Sequence, residues 1–518
     1  MIAGLVGWYS SVLVTSQYHF TLAFSAGTLV FGWSAAAAGN SAASVVAPKQ
    51  TDMSQLSRIG RFLLRNQLLA PVLAVAALAS IALLVGSVSE LILERMCAMR
   101  AIQHIYSVYN AAAGQESVRI FADGREMCTP ILAIAAAAIA GLANYFINLN
   151  TFSLHGMYRM RLVRAFLGAS NFGRNADRFT NFDALDNFSA AELRKVQDAP
   201  VHVINATLNL VDGANQAWQQ RKAESFVFTP FQCGSWRVGY APAEVYGGHQ
   251  GISVGTAMAI SGAAFNPNMG YNSSPLVTLV MTLFNARLGW WLPNPGWEQR
   301  SALSAENQAE YLRKSGPTYS LGSIVLEALG KTNDRRKWIQ LSDGGHFENL
   351  GLYEMVLRRC HCIVLVDAGA DREYQFEDLG NAVRKIGIDL GVPITFNDTW
   401  PFTNQKSETD GYCAIGKIDY CCVDGDSASP GYLIYVKPQM IGKEPRDVTA
   451  YGVSHEAFPH ETTVNQFFNE AQFESYRHLG LHEMGAIVAT ANANSKDALL
   501  AAALAYCKQP AFGEAGKL

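Results

Sequence analysis

One short stretch of the chain has the residue types and spacing of a turn that presents a carboxylate. An apolar run at 338–341 leads into Ser342 and Asp343, and Gly344 and Gly345 follow directly. Glycine lacks a Cβ, so such a turn can adopt positive φ and let a substrate or a second side chain approach the carboxylate closely. The other interpretation is that Asp343 only caps the helix or starts the turn that follows.

The elements around this turn alternate between strand and helix. Residues 348–360 have apolar positions at helical spacing, which predicts a helix after the turn. Next come a buried-strand pattern at 362–369, an amphipathic helix at 376–390 and a short strand at 392–396. This alternation predicts a parallel sheet with right-handed crossovers, and the end of a strand in such a sheet is where ligands bind. Further strands are predicted at 202–210, 412–420 and 431–436.

The composition excludes several classes of protein. Only 16% of the 518 residues are charged and the net charge is −3, so the basic surface of a nucleic-acid-binding protein is missing. The nine cysteines are an odd number and contain no repeated C-x-x-C. That count argues against a disulfide framework and against a zinc site. We therefore expect no nucleic-acid partner, no metal and no cofactor.

Three apolar segments precede the α/β pattern. The segment at 20–38 is interrupted by glycine and hydroxyl residues, whereas 68–88 and 129–147 carry no charge over 21 and 19 residues. About 20 apolar residues are needed to cross the ~30 Å of hydrocarbon in a bilayer. These lengths predict transmembrane helices, with 20–38 the weakest case. The alternative is that the two uncharged segments are buried core helices.

These patterns predict a division of the chain into three parts. Residues 1–165 form a membrane region, residues 166–485 form an α/β domain, and residues 486–518 form an Ala-rich tail. Arginines flank the outer ends of both uncharged segments, which favours a cytoplasmic position for those ends. The sequence therefore predicts a multi-pass membrane protein whose C-terminal domain is cytoplasmic.

Several segments, in their order along the chain, resemble patatin-like phospholipases. Residues 257–267 look like the Ala-Thr-Ser-Ala-Ala-Pro segment of that family, and 342–351 look like its Asp-Gly-Gly motif. With 284–295 and 367–391 added, the chain is most similar to a bacterial branch in which a membrane-spanning region interrupts the lipase domain. The resemblance covers roughly residues 170–480.

The resemblance implies an α/β fold with a parallel or mixed patatin-like central sheet flanked by helices, and a location in a bacterial inner membrane. It also implies an acyl hydrolase of the phospholipase or lysophospholipase type that uses a Ser–Asp dyad and acts on membrane lipid. Asp343 would be its general base, and Gly344 and Gly345 would shape the turn.

The nucleophile of that family does not have a clear counterpart. The one Gly-x-Ser-x-Gly stands at 251–255, with Ser253 at its centre, but no hydrophobic strand precedes it as an elbow requires. Ser261 matches a non-catalytic serine of its motif, and we interpret His346 as a turn residue. We therefore expect the N-terminal part with the nucleophile elbow to be missing, and the isolated chain to be inactive.

Three alternatives remain open from the sequence. The chain is a piece of a longer lipase, or a second polypeptide supplies the nucleophile half. It is otherwise a catalytically inactive, membrane-anchored scaffold or binding module with a lipase-like fold. The third alternative is a small-ester hydrolase that uses Ser253 as its nucleophile.

Overall fold

The computed structural model describes most of the chain after residue 124. The described residues are 125–196, 200–213, 220–297, 304–396, 400–402, 411–462, 469–489 and 495–507, with a few isolated positions between 86 and 95. They form a mixed α/β fold with two sheets.

The first sheet has six strands and is antiparallel throughout. Its strands are β1 (Ile204–Asn209), β2 (Ala223–Phe228), β3 (Gln232–Ser235), β4 (Gly239–Pro242), β5 (Trp290–Pro293) and β6 (Trp338–Asp343). Their order across the sheet is β4-β3-β2-β1-β6-β5. Strand β6, which ends at Asp343, therefore lies between β1 and β5, and Ala206 of β1 pairs with Asp343.

The second sheet corrects the predicted topology. It contains β7 (Cys362–Val366), β8 (Ile394–Phe396), β9 (Cys413–Ile418) and β10 (Gly431–Val436), in the order β7-β10-β9-β8. Only β7 and β10 pair in parallel; the other pairs are antiparallel. The predicted parallel sheet over 338–396 is wrong, because β6 belongs to the first sheet and the β9–β10 hairpin lies between β7 and β8.

Twelve α-helices connect and cover the sheets in the described part of the chain. They are α1 (Arg125–Phe146), α2 (His155–Leu162), α3 (Val254–Ser261), α4 (Pro275–Leu283), α5 (Ala305–Leu312), α6 (Ser320–Ala328), α7 (Leu352–Leu357), α8 (Glu377–Leu390), α9 (Cys421–Asp424), α10 (Arg446–Ser454), α11 (Glu470–Val488) and α12 (Lys496–Tyr506). The helix predicted at 376–390 is confirmed as α8. The helix predicted at 348–360 is shorter, because Gly351 has a positive φ of 72° and α7 begins after it.

Two large apolar clusters hold the layers together. In the first, Leu208 and Leu341 of the six-stranded sheet pack with Ala257 and Ile260 of α3. The second cluster lies between α7, α8 and the four-stranded sheet. Full burial of one large apolar side chain is worth about 1.5–3 kcal/mol, so the first cluster fixes α3 firmly beside the strand that carries Asp343.

The predicted location in a bacterial inner membrane, as a multi-pass protein, is wrong. No helix in the part of the chain that the structure describes combines the length and the apolarity needed to cross a bilayer. The predicted span 129–147 falls on α1, where alanine is the commonest residue. The C-terminal end of α1 is joined to α6, since Leu321 N donates to Asn144 Oδ1 at 2.7 Å. The segment 20–38, and 68–88 almost entirely, lie outside the described residues.

The Ala-rich tail contributes to the core of the α/β unit. In α12, Ala503 is buried with Ile415 of β9 and Ile434 of β10. The predicted boundary between 485 and 486 falls inside α11, and α2, from the predicted membrane region, packs on α3. The three-part division stays a prediction.

Candidate functional site

A cavity of about 480 Å³ opens at the end of β6. It lies between α2, α3, the beginning of β1 and the turn that follows Asp343. The side chains that the site argument uses are Tyr158, Asn205, Ser261, Asp343 and Glu348, all of which line this cavity. The structure thus places the predicted carboxylate at the end of an interior strand and in a space large enough for a small ligand.

Asp343 both caps the turn and faces the cavity. Its Oδ1 accepts a hydrogen bond from Gly345 N at 2.6 Å, as the capping interpretation predicts. Its Oδ2 accepts no hydrogen bond from any residue that the structure describes. Burial raises the pKa of the Asp343 carboxyl to about 7, and the bond from Gly345 opposes this only in part. A carboxylate with a pKa near neutrality is a stronger base than an ordinary aspartate.

The two glycines after Asp343 are needed for close approach rather than for positive φ. A Cβ on Gly345 would lie 2.5 Å from Asn349 Oδ1 and 3.0 Å from Asp343 Oδ1. A Cβ on Gly344 would lie 3.1 Å from the carbonyl oxygen of Asn205. Neither glycine has a positive φ, whereas Gly351 does. The predicted role of Gly344 and Gly345 in shaping the turn therefore has a steric explanation.

His346 lies on the other side of the strand from the cavity. Successive side chains of a strand alternate between its faces, and Ser342, the neighbour of Asp343, bonds to His346 Nδ1 at 2.8 Å. Burial lowers the pKa of the His346 imidazole to about 4, so the ring is neutral at pH 7. Its position fits the interpretation of His346 as a turn residue.

Asn205 was not identified from the sequence, although it belongs to a predicted strand. It lines the cavity one residue from Ala206, the partner of Asp343 across the sheet. Its side-chain Oδ1 is buried without a hydrogen-bond partner among the described residues. Buried polar atoms are nearly always paired in folded proteins, so an unpaired amide oxygen beside a carboxylate marks a place where an N–H or O–H group of a ligand can complete the bonding.

The structure does not bring Ser253 and Asp343 together. Ser253 is the N-cap of α3, with its Oγ 3.3 Å from Thr256 N and 2.8 Å from Thr256 Oγ1. Ser261 is the last residue of the same helix and lines the Asp343 cavity. Eight residues of α-helix rise about 12 Å, so the two serines lie at opposite ends of α3. The role of Ser253 as a nucleophile stays a prediction.

Packing explains the glycines on either side of Ser253. Gly251 has a positive φ of 78°, and a Cβ there would lie 2.0 Å from the carbonyl oxygen of Ala243. A Cβ on Gly255 would lie 2.4 Å from Val163 Cγ2 and 2.5 Å from Asn187 Oδ1. The Gly-x-Ser-x-Gly spacing at 251–255 therefore has a structural origin that involves no catalysis.

The N-cap hydrogen bond of Ser253 makes a predictable contribution to the free energy of unfolding. The Ser253→Ala variant should lose about 1 kcal/mol of unfolding free energy, because an N-cap serine satisfies an otherwise unpaired backbone N–H. Urea denaturation would measure this loss, and Ser253→Asp, which keeps a capping oxygen, is the matched control. Equal stability of the alanine variant and the wild-type protein would contradict the capping role.

Two further side chains close the cavity. The Tyr158 hydroxyl lies against Gly262, where an added Cβ would be 2.5 Å away from it. Burial and then the nearby Asp343 carboxyl raise the pKa of Tyr158, so the phenol stays protonated. Glu348 Oε1 accepts from Leu350 N at 2.6 Å and is a cap of the turn before α7. Within the described ranges no three His, Cys, Asp or Glu side chains converge as metal ligands would.

Comparison with known proteins finds one solved structure of similar fold. No protein-family model matches the sequence, and no curated protein sequence matches it. The fold is similar to human GIVD cytosolic phospholipase A2 with a TM-score of 0.36 and 14% sequence identity, over 70% of this chain. The match spans about half, 53%, of the length of that protein. A similarity of this size does not show a shared family.

Proposed function

We propose that this chain carries the aspartate half of a patatin-like lipid acyl hydrolase of the phospholipase or lysophospholipase type. The observation that supports the proposal is Asp343, a carboxylate in a cavity whose pKa is raised to about 7. Because its neighbours Gly344 and Gly345 have no side chains, a second group can approach the Asp343 carboxylate closely. The nucleophilic serine comes from an upstream segment or from a second polypeptide.

In this proposal Asp343 acts as general base through its free oxygen, Oδ2. It accepts the proton of the serine hydroxyl while the serine oxygen attacks the ester carbonyl of the lipid. The tetrahedral oxyanion accepts a hydrogen bond from Asn205 Nδ2, the donor atom of that side chain, a contribution typically worth about 3–4 kcal/mol for one donor. The bond to the leaving alcohol then breaks, the alcohol takes the proton from Asp343, and the acyl group stays on the serine. Water attacks this acyl-serine with Asp343 again accepting a proton, which releases the fatty acid and restores the serine hydroxyl.

Ser261 is the serine that could complete the dyad within the described part of the chain, because it lines the same cavity. Its place argues against that role. A nucleophile elbow puts serine at the beginning of a helix, where the helix dipole stabilises negative charge. Ser261 stands at the C-terminal end of α3, where the dipole opposes an alkoxide. We therefore expect the isolated chain to be inactive.

The test separates the base from the nucleophile. The isolated chain should not release fatty acid from phospholipid and should not react with a fluorophosphonate, a reagent specific for activated serines. Co-expression with the polypeptide encoded immediately upstream should give hydrolysis. Asp343→Asn should lower kcat by a factor of about 100 or more, as expected for loss of a general base. Ser253→Ala and Ser261→Ala are the matched controls and should retain activity.

Other results would change the assignment. Fluorophosphonate labelling of the isolated chain that disappears in Ser261→Ala would place the nucleophile in α3, and its disappearance in Ser253→Ala would favour the small-ester hydrolase. Full activity of the co-expressed Asp343→Asn variant would contradict the proposed base. A complex that forms and folds without any hydrolysis would leave the scaffold interpretation.

A further inference from the structure

An unusual set of apolar side chains projects from α2 and from the segment between α2 and β1. Phe172 and Phe179 are essentially fully exposed, at 104% and 97%. Leu185 is 82% exposed, and Met157 and Phe166 are also more exposed than buried. We name these five residues the phenylalanine surface. Scattered exposed apolar residues are ordinary, whereas a contiguous group of large ones indicates a binding surface. Here the loops that carry the two phenylalanines are joined through Arg174, and Arg164 Nη1 donates to Thr180 O at 3.2 Å, so these side chains stand on neighbouring parts of one surface.

A buried carboxylate holds the first of these phenylalanines in place. Asp186, which has no exposed side-chain area, accepts from Asn171 Nδ2 at 3.0 Å and from Arg174 Nε at 2.6 Å. The hydrogen bond from Arg174 holds the pKa of the Asp186 carboxyl below its usual value. Asn171 also accepts from Gly173 N through its Oδ1. Phe172 therefore projects from a loop that is tied on both sides.

The second phenylalanine stands on an equally defined turn. Asp177 Oδ1 accepts from Phe179 N at 3.0 Å, from Thr180 N at 2.8 Å and from Thr180 Oγ1 at 2.9 Å. Arg174 Nη2 donates to Asn181 O at 2.8 Å, so the same arginine joins both loops. The two rings are thus presented by a preorganised backbone, and binding through them requires little further ordering.

The charges that accompany this surface are mostly positive. Arg161, Arg164 and Arg178 are exposed in the same segment, and Asp177 is the one exposed acid between residues 157 and 185. The whole chain, in contrast, has a net charge of −3. Protein interfaces also favour arginine and aromatic residues, so the sign of the charge decides the partner. Three exposed arginines against one exposed acid, beside protruding aromatic rings, match an anionic lipid surface, which attracts the charges and accepts the rings.

Helix α2 connects this surface to the cavity. Tyr158 and Leu162, four residues apart, face the cavity, whereas Met157 and Arg161 are exposed. Residues four apart lie on one face of a helix, so α2 presents one side to the cavity and another to the outside. A lipid layer bound to the phenylalanine surface would lie beside the cavity mouth.

We propose that the phenylalanine surface docks on an anionic lipid layer, with Phe172 and Phe179 inserted between the lipids and the three arginines at the level of the headgroups. The proposal concerns binding and holds whether or not the Asp343 cavity hydrolyses lipid. It requires no membrane-spanning helix, because the apolar side chains enter only the boundary between headgroups and acyl chains.

Vesicle co-sedimentation tests this proposal. Vesicles of ether-linked phosphatidylcholine and phosphatidylglycerol contain no acyl ester, so binding is measured without hydrolysis. The protein should bind the mixed vesicles and should bind phosphatidylcholine alone at least about tenfold more weakly, since each arginine near an anionic surface is worth about fivefold. The Phe172→Ser/Phe179→Ser variant should lose a factor of about ten or more per ring. Arg161→Gln/Arg178→Gln should lose the preference for phosphatidylglycerol.

The matched control is Val453→Ser, which removes another highly exposed apolar side chain, 84% exposed on α10, and should bind as the wild-type protein does. Circular dichroism melting establishes that each variant is folded. Equal binding by the wild-type protein and the double phenylalanine variant would overturn the proposal. So would a wild-type dimer in light scattering that the double variant converts to a monomer, because the surface would then bind a second copy.

Discussion

The Asp343→Asn variant should be more stable than the wild-type protein at pH 8 and about equally stable at pH 4. Burial raises the pKa of Asp343 from 3.8 to about 7, so the folded state disfavours the charged carboxylate. The stabilisation by the protonated acid is complete below pH 3.8 and is lost as pH rises through 7. One pKa unit corresponds to about 1.4 kcal/mol, which gives a difference of roughly 3–4 kcal/mol at pH 8.

Asparagine is the appropriate replacement, because its Oδ1 can still accept the bond from Gly345 N. Urea denaturation at pH 4, 6 and 8 would measure the difference. Asp177→Asn serves as a control of opposite sign. Bonds from Thr180 and Phe179 lower the pKa of Asp177, so the wild-type protein should gain stability over this variant as pH rises. Parallel pH profiles of Asp343→Asn and the wild-type protein would contradict the raised pKa, and with it the proposed base.

Local patterns predicted individual elements of this fold well. Strand β1, helix α8 and the hairpin strands β9 and β10 lie where periodicity and turn residues place them. The sheet order was not predictable in the same way. Strands β7 and β8 flank α8 in sequence, yet β10 and β9 lie between them. That arrangement depends on which strands bury the apolar sides of Leu433 and Tyr435, and Leu433 pairs with Ile363 of β7, far away in the sequence.

The same limit applies to the site. Asp343 can be recognised from the local sequence, because the residues that shape its turn are its immediate neighbours. Asn205 cannot be recognised in this way: its cavity position follows from the pairing of Ala206 with Asp343 across the sheet. For the two serines, the sequence motif favours Ser253, while the length of α3 places Ser261 at the cavity. Sequence spacing therefore identified the carboxylate and left its surroundings undetermined.

The absence of charge in residues 129–147 was also weaker evidence for a membrane span than the length of that segment implied. Residues 129–147 are uncharged, but seven of the 22 residues in α1 are alanine, and alanine contributes little apolar surface. The polar Asn144 near its end accepts a bond from α6, and the hydroxyl of Ser320 donates to Ile147 O. These contacts join the end of α1 to the α/β unit, a result that hydropathy alone does not predict.

Removal of one partner of a buried ion pair should cause the largest single loss of stability behind the Asp343 turn. Arg287 Nη1 and Glu327 Oε2 are 2.5 Å apart, with side-chain exposures of 1% and 0%. Gln340 Nε2 donates to Glu327 Oε1 at 3.2 Å, and Asn209 Nδ2 donates to both Gln340 Oε1 and Ser342 Oγ at 2.8 Å. The network therefore runs from the ion pair along β6 to the residue before Asp343.

Glu327→Ala should lower the unfolding free energy by about 3–5 kcal/mol, because it leaves the Arg287 charge buried without its partner. Glu474→Ala is the matched control: it breaks the exposed pair with Arg477 and should cost less than about 1 kcal/mol. The Arg287→Met/Glu327→Leu variant removes both charges and should recover much of the loss. If Glu327→Ala costs no more than Glu474→Ala in urea denaturation, water reaches the pair, and the rigid support beneath Asp343 is absent.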